Sequence, residues 1–198
     1  MRKYLATTIL RLIGWRVEGS LPAEKKLVIV GAPHTSNWDL PLALLCIWAA
    51  NRRITWVMKK QLFVGPLNTL FRALGGLPVD RSAPNGLIAQ IVQLFEQQDE
   101  MLFGITPEGT RSRTDHWKTG FYYIALRAGV PICLGYIDYS KKIIGFGPLL
   151  QPAGDIEKDM KTIRAFYQQY KGRYPQKQGE IQVKTGPSVQ SQKTKSQH

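Results

Sequence analysis

An α/β fold with a central, mostly parallel sheet flanked by helices is predicted from three observations. Short apolar runs recur along the chain, among them Lys26–Val30 (KLVIV), Ile54–Met58 (ITWVM) and Met101–Ile105 (MLFGI). Segments with helical spacing of apolar residues separate them, and strands alternating with helices are the pattern of a parallel sheet. Polar clusters follow three of the runs directly, around His34, Lys59 and Glu108. In open α/β sheets, the carboxyl ends of strands are where ligands bind.

Residues 1–16 read as a short amphipathic helix. Leu5, Ile9, Leu12 and Ile13 recur at helical spacing beside Arg2, Lys3 and Arg11. Basic charge with Leu, Ile and Trp15 suits an interfacial anchor, and the same face suits docking on a core. The strand Lys26–Val30 follows a turn over Gly19–Pro22 and runs into His34–Asp39. A helix then extends to about Ala50, with Ser36 or Asn37 as its cap and Pro41 tolerable in its first turn. Ile54–Met58 is the next strand, a helix covers Leu67–Ala73, and Leu77–Val79 is a short strand. Asn85–Gln98 is an amphipathic helix and Met101–Ile105 a strand; Lys118–Ala128 is a helix and Pro131–Ile137 a strand. Lys142–Phe146 is a further short strand and Asp155–Tyr170 the last helix. Three regions result: an amphipathic segment over 1–20, one domain over 21–175, and a mobile polar basic tail over 176–198.

The chain has 198 residues, enough for a single domain with a sizeable core. Its 27 Lys and Arg against 14 Asp and Glu leave a net charge of +13, which implies an anionic partner. The charge alone does not choose among nucleic acid, an anionic membrane surface and phosphorylated substrates; no nucleic-acid motif accompanies it and an anionic membrane surface explains it equally well, so nucleic acid is not the partner expected. Cys46 and Cys133 sit in apolar runs and read as buried small hydrophobes in a reducing compartment. No CxxC or HExxH occurs, and no metal site is expected. Met1–Trp15 lacks the features of a secretory signal. The longest apolar run, Leu40–Ala50, falls short of the roughly 20 residues a membrane span needs.

His34 and Asp39 permit acid–base chemistry. A histidine can take a proton from an attacking alcohol, and a carboxylate on its other ring nitrogen fixes the tautomer. On one continuous helix, residues five apart do not meet. The pair therefore works only if His34 sits in the turn before the helix and Asp39 in its first turns. The same residues also fit helix-start chemistry, an aspartate complementing the dipole beside a loop histidine. In the cluster Pro107–Arg113, Gly109 lets backbone approach a ligand, and Thr110, Ser112, Arg111 and Arg113 can grip a phosphate. Glu108 can orient Arg111 or accept from a substrate hydroxyl. Lys59, Lys60 and Arg81 form a third basic set; solvated turns and lysines account for the second and third clusters equally well on local grounds. Ser36 invites a serine-hydrolase reading, but it lies only two residues from His34 and no GxSxG elbow is present. His116 reads as a surface residue.

Taken together, these clusters resemble the glycerolipid acyltransferase family. Its first block, N/G-H-x4-D, is similar to His34–Asp39. Its glycine-rich second block looks like Gly75–Arg81. Its third, F-P-E-G-T-R-S, resembles Thr106–Ser112, and its V-P-I block matches Val130–Ile132. A lysine before the second block looks like Lys59, and an F-K-x-G stretch like Trp117–Gly120. The blocks occur in order over roughly Val28 to Tyr136. Thr106 and Trp117 stand where the family usually carries phenylalanine.

The resemblance implies a lysophospholipid acyltransferase. An acyl group would pass in one step from acyl-CoA or acyl carrier protein to the free hydroxyl of 1-acyl-glycerol-3-phosphate or a related lysolipid. His34 would be the general base and Asp39 its orienting partner, with no acyl-enzyme and no cofactor beyond the co-substrate. Backbone N–H groups, with Lys59, would stabilise the oxyanion. Arg81, Glu108, Gly109, Thr110 and Arg111 would serve the phosphate end of the acceptor. The location expected is peripheral, on the cytoplasmic face of the membrane. A non-catalytic anionic-lipid binder of the same fold is the alternative.

Overall fold

The computed structural model describes residues 1–79 and 84–184. Seven strands form one sheet: β1 (Arg16–Glu18), β2 (Lys26–Ala32), β3 (Thr55–Lys59), β4 (Gly76–Val79), β5 (Met101–Ile105), β6 (Ile132–Asp138) and β7 (Ile143–Leu150). Their order is β1-β7-β6-β2-β5-β3-β4. Every neighbouring pair is parallel except β6 and β7, which a tight turn joins antiparallel. The strand expected over Lys142–Phe146 is longer than the apolar pattern marked, because Gly147–Leu150 continue the pairing with β6 on its more exposed side. Strand β1 carries no apolar signal and is exposed throughout. It forms because β7 offers it an edge, with Arg16 opposite Ile143.

Alternate residues of the central strands feed two cores. On one face lie Val28 and Val30 of β2, Met101 and Phe103 of β5, and Ile132 and Leu134 of β6. Helices α4 (Pro84–Gln97), α5 (Gly120–Ala128) and α6 (Ile156–Tyr167) cover this face with Ile91, Phe121 and Ile163, all 0% exposed. On the other face, Leu27, Ile29, Leu102 and Cys133 meet α1 (Arg2–Leu12) and α2 (Asp39–Ala49). Strands buried on both sides carry near-continuous apolar runs, which is why they stand out in the sequence. Helix α3 (Gly65–Ala73) lies beside β4 at the sheet edge. Gly75 leads into β4 at φ +88°, and a Cβ there would overlap the carbonyl oxygen of Ile54; glycine is needed at this position for the backbone approach alone.

Helix α1 docks through Ala6 and Leu10, which are buried, while Leu5 and Leu12 on its other side are 60% and 80% exposed. The apolar spacing read from the sequence thus mixes a docking face with an outward stripe. Cys46 and Cys133 are buried free thiols, and burial first of all pushes both up to about 12. The part of the expected mobile tail that the structure describes is ordered. Residues 176–184 pack on the domain: the Trp117 N–H donates to Gln182 O at 2.6 Å, Arg164 Nε to Ile181 O at 2.7 Å, and Gln178 bonds the backbone of Tyr170 and Gly172. Pairing to side chains and loops, rather than periodicity, orders this segment. Residues 185–198 lie outside the described residues.

Candidate active site

Three adjacent strands, β6, β2 and β5, each deliver one polar residue just beyond their carboxyl ends: Tyr139, His34 and Glu108. The connection from β2 goes to α2 on one face of the sheet, and that from β5 goes to α5 on the other. Adjacent strands whose connections depart to opposite faces open a crevice between them, the usual ligand position in such sheets.

His34 lies in the turn after β2, and Asp39 is the first residue of α2. The turn folds back so that His34 Nδ1 stands 2.9 Å from Asp39 Oδ2. The same oxygen accepts the N–H groups of Thr35 and Ser36, each at 2.9 Å, and Oδ1 accepts the Tyr139 hydroxyl at 2.7 Å. A carboxylate that only accepts makes Nδ1 the donor, which leaves the Nε2 lone pair free to take a proton. Side-chain exposure of 15% for His34 and 9% for Asp39 keeps the pair close to solvent yet sheltered. The cap differs from the expected Ser36 or Asn37. Trp38 is the N-cap residue with no side-chain cap, because the Asp39 carboxylate takes up the turn's N–H groups and Ser36 Oγ accepts the N–H of Trp38.

Glu108 sits beneath this pair. Its Oε1 accepts the His34 N–H at 2.9 Å, and it is only 7% exposed. Burial pushes its carboxyl up to about 7, against the pull of backbone N–H groups including that of His34. The structure therefore ties Glu108 to the histidine loop. Gly109 follows at φ +66° with the Lys118 side chain lying over it. The Lys118 N–H donates to Pro107 O at 2.8 Å, so this loop is tied to the start of α5. Thr110 and Arg111 are exposed, and Thr110 Oγ1 accepts the Ser112 N–H at 3.2 Å. Lys59 is exposed at the carboxyl end of β3, on the strand next to β5. Arg81 lies outside the described residues. His116 is half-buried with its Nδ1 enclosed, in contrast to the surface position expected of a loop histidine.

Tyr139 is absent from the residues singled out by sequence. Its hydroxyl is pushed upward by burial and then by its bond to Asp39. Its ring meets Trp15 edge-on at 5.0 Å, and its N–H donates to Lys171 O. The signal available was positional: it follows the apolar run Ile132–Asp138 as His34 follows Lys26–Ala32.

Comparison with known proteins places these features. The family model described as Acyltransferase matches residues 15–134, which include every part of the cluster except Tyr139. The 1-acyl-sn-glycerol-3-phosphate acyltransferase of Escherichia coli is 31% identical over 130 residues, covering 61% of this chain and 52% of that protein. The enzyme of the same name from Haemophilus influenzae is 28% identical over 131 residues, covering 61% of this chain and 53% of its own length. This chain thus spans about half the length of the curated relatives it matches. The crystal structure of the 1-acyl-sn-glycerophosphate acyltransferase PlsC from Thermotoga maritima superposes with a TM-score of 0.61 at 18% identity, covering 83% of this chain and 74% of that one, and shares the fold. With the family model matched over more than half of the chain, from β1 into the first residues of β6, the chain belongs to the acyltransferase family.

Proposed function

We propose that this protein transfers a fatty acyl group from a thioester to the free hydroxyl of 1-acyl-glycerol-3-phosphate or a closely related lysolipid. The observation that carries this reading is the His34–Asp39 pair, with Nδ1 held by a carboxylate that has four donors around it and Nε2 left as the base. The Nε2 lone pair takes the hydroxyl proton as the oxygen attacks the thioester carbonyl. The tetrahedral centre collapses with loss of the thiolate, which recovers the proton from the imidazolium. The products are the ester and the free thiol, and no acyl-enzyme forms. Lys59, Arg81, Thr110 and Arg111 are the residues proposed to meet the phosphate and the developing oxyanion, with Gly109 permitting close approach. Glu108 serves by holding the histidine loop. The names of the relatives support lysophosphatidic acid as acceptor; acyl-CoA and acyl carrier protein both suit the chemistry as donors.

The protein is proposed to work at the surface of the membrane, on its cytoplasmic face. No helix among the described residues is long and apolar enough to cross a bilayer. A net charge of +13 complements the anionic inner leaflet, and Leu5 and Leu12 face outward from α1.

Purified protein, radiolabelled acyl-CoA or acyl carrier protein, and lysophosphatidic acid should yield diacylated product. His34→Ala should lower turnover by about 10²- to 10⁴-fold, the usual worth of a general base, with an unchanged circular dichroism spectrum. Turnover near wild type in that variant would rule out the mechanism. Vesicle binding without turnover on either donor would instead favour a non-catalytic lipid binder.

A further inference from the structure

A basic recess lies at the end of α2 opposite the candidate catalytic pair. Arg2, Trp48, Asn51, Arg52 and Arg53 line a space of about 190 Å³. The 11 residues of α2 separate it from Asp39 by about 16 Å at 1.5 Å per residue, so it is no part of that cluster.

The local sequence builds this recess firmly. Asn51 adopts the left-handed conformation at φ +56° just after α2. Its N–H donates to Trp48 O at 2.9 Å, and the Arg52 N–H donates to Ile47 O at 3.1 Å. Those two bonds make a Schellman closure, in which asparagine can take the place of the usual glycine. The closure ties the backbone of Asn51 and Arg52 to the last turn of α2. Arg52 is anchored further, its Nη2 donating to Glu24 O at 3.1 Å. Arg2 comes from the far end of α1, which runs antiparallel to α2.

Three arginines line this recess, and none has a carboxylate partner among the described residues. Cations beyond a helix C-terminus do complement its dipole, but that effect fades within one turn and does not call for an arginine from a second helix. Arginine gathers bidentately on phosphate and is the residue suited to it. A volume of about 190 Å³ is below the ~300 Å³ at which pockets for drug-sized ligands begin, and matches a head group better than a whole molecule. The recess adjoins the α1 helix, whose exposed stripe includes Tyr4, Leu5 and Leu12. Half-buried Trp48 adds an indole of the kind that settles at membrane–water boundaries.

We infer that Arg2, Asn51, Arg52 and Arg53 form a binding site for the phosphate of an anionic phospholipid head group, distinct from the acyl-acceptor site. The ligand would be a membrane lipid that is not consumed, and the site would set how α1 lies on the surface.

The test compares two variants of equal charge change in the full chain. Arg52→Gln/Arg53→Gln alters the recess, and Lys158→Gln/Lys161→Gln alters exposed positions on α6, across the sheet. Binding is measured by co-sedimentation with vesicles of phosphatidylcholine alone and of equal parts phosphatidylcholine and phosphatidylglycerol. The expected result is a tenfold or greater loss of affinity for the anionic vesicles in the arginine variant and less than threefold in the lysine variant. Equal losses would reduce the effect to bulk charge and overturn the site, as would no loss. Inorganic phosphate at millimolar concentration is the second arm. Release of wild-type protein from the vesicles by phosphate would overturn the lipid assignment in favour of a free anion. Turnover of the arginine variant on detergent-dispersed acceptor should stay within twofold of wild type. Binding is read without catalysis, so a protein with no turnover that still shows the split would sink the proposed activity and leave this site standing.

Discussion

The hydroxyl of Tyr139 donates to Asp39 Oδ1 at 2.7 Å, on the side of the carboxylate opposite His34. Asp39 is thereby held from three directions: by the turn N–H groups of Thr35 and Ser36, by the imidazole, and by a residue from the end of β6. The Trp15 ring, just beyond α1, packs edge-on against Tyr139 at 5.0 Å and links the first helix to the aspartate. A buried carboxylate oxygen would lose its partner if this hydroxyl were removed.

Tyr139→Phe should therefore lower kcat by about tenfold, the worth of one hydrogen bond to a charged group, and leave the KM for acceptor little changed. Tyr139→Phe removes the hydroxyl and keeps the ring that packs on Trp15, so it separates the bond from packing. Wild-type kcat in this variant would show that the tyrosine only fills space.

Glu108 makes stability depend on pH. Its carboxyl is raised by burial from 4.5 to about 7. The folded protein then binds more protons than the unfolded chain between those values, so stability falls as pH rises through that window. The full span corresponds to about 3 kcal/mol. Glu108→Gln keeps an acceptor for the His34 N–H and removes the titration. Thermal melts should show the variant close to wild type at pH 5 and more stable at pH 8. Glu108→Ala leaves the N–H unpaired and should cost about 1–3 kcal/mol at both. Parallel melting curves for Gln and wild type across pH would refute the assignment.

The order of strands and helices was legible because both faces of the sheet are covered, so β2, β5 and β6 are apolar throughout. The spacing of His34 and Asp39 was ambiguous by itself, since a turn and a helix start impose no single separation; only the fold-back of Thr35 and Ser36 onto the carboxylate brings it to the imidazole. The bond from the His34 N–H to Glu108 was not legible either, because it depends on β5 lying beside β2 and not on the Gly–Thr–Arg turn around the glutamate. Tyr139 was illegible for a different reason: its partner lies 100 positions away, and no local pattern encodes that contact. Strand β1 and residues 176–184 share this property, for each is ordered by distant edges and not by its own periodicity.

Gly109 tests whether backbone or space governs the loop after β5. Its φ is +66°, and a Cβ would stand 3.0–3.2 Å from Lys118 Cε, Cδ and Nζ. The far end of a flexible lysine can swing aside, whereas the left-handed backbone costs a side-chain-bearing residue about 1–2 kcal/mol. Gly109→Ala should therefore lower stability by about that amount. Gly109→Asn, though larger, should cost less, because asparagine tolerates this region. A greater loss for asparagine in denaturant titrations would put crowding by Lys118 ahead of backbone conformation.

Helix α1 presents two apolar sets that answer to different measurements. Leu10 is 2% exposed against α2, while Leu5 and Leu12 are 60% and 80% exposed. Leu10→Ala should cost about 2–5 kcal/mol of stability, the usual price of a core truncation. Leu5→Gln/Leu12→Gln should change stability by less than about 0.5 kcal/mol per site, as exposed substitutions do. The second variant should nevertheless lose about tenfold or more in partition onto vesicles, because each leucine forgoes part of the roughly 1.5–3 kcal/mol that burying such a side chain supplies. If the helix served only to dock on the core, the outward pair would leave vesicle binding unchanged. If it served only the membrane, Leu10→Ala would leave the melting temperature unchanged. A loss of stability confined to the inward residue and a loss of partition confined to the outward pair would show that one short helix does both.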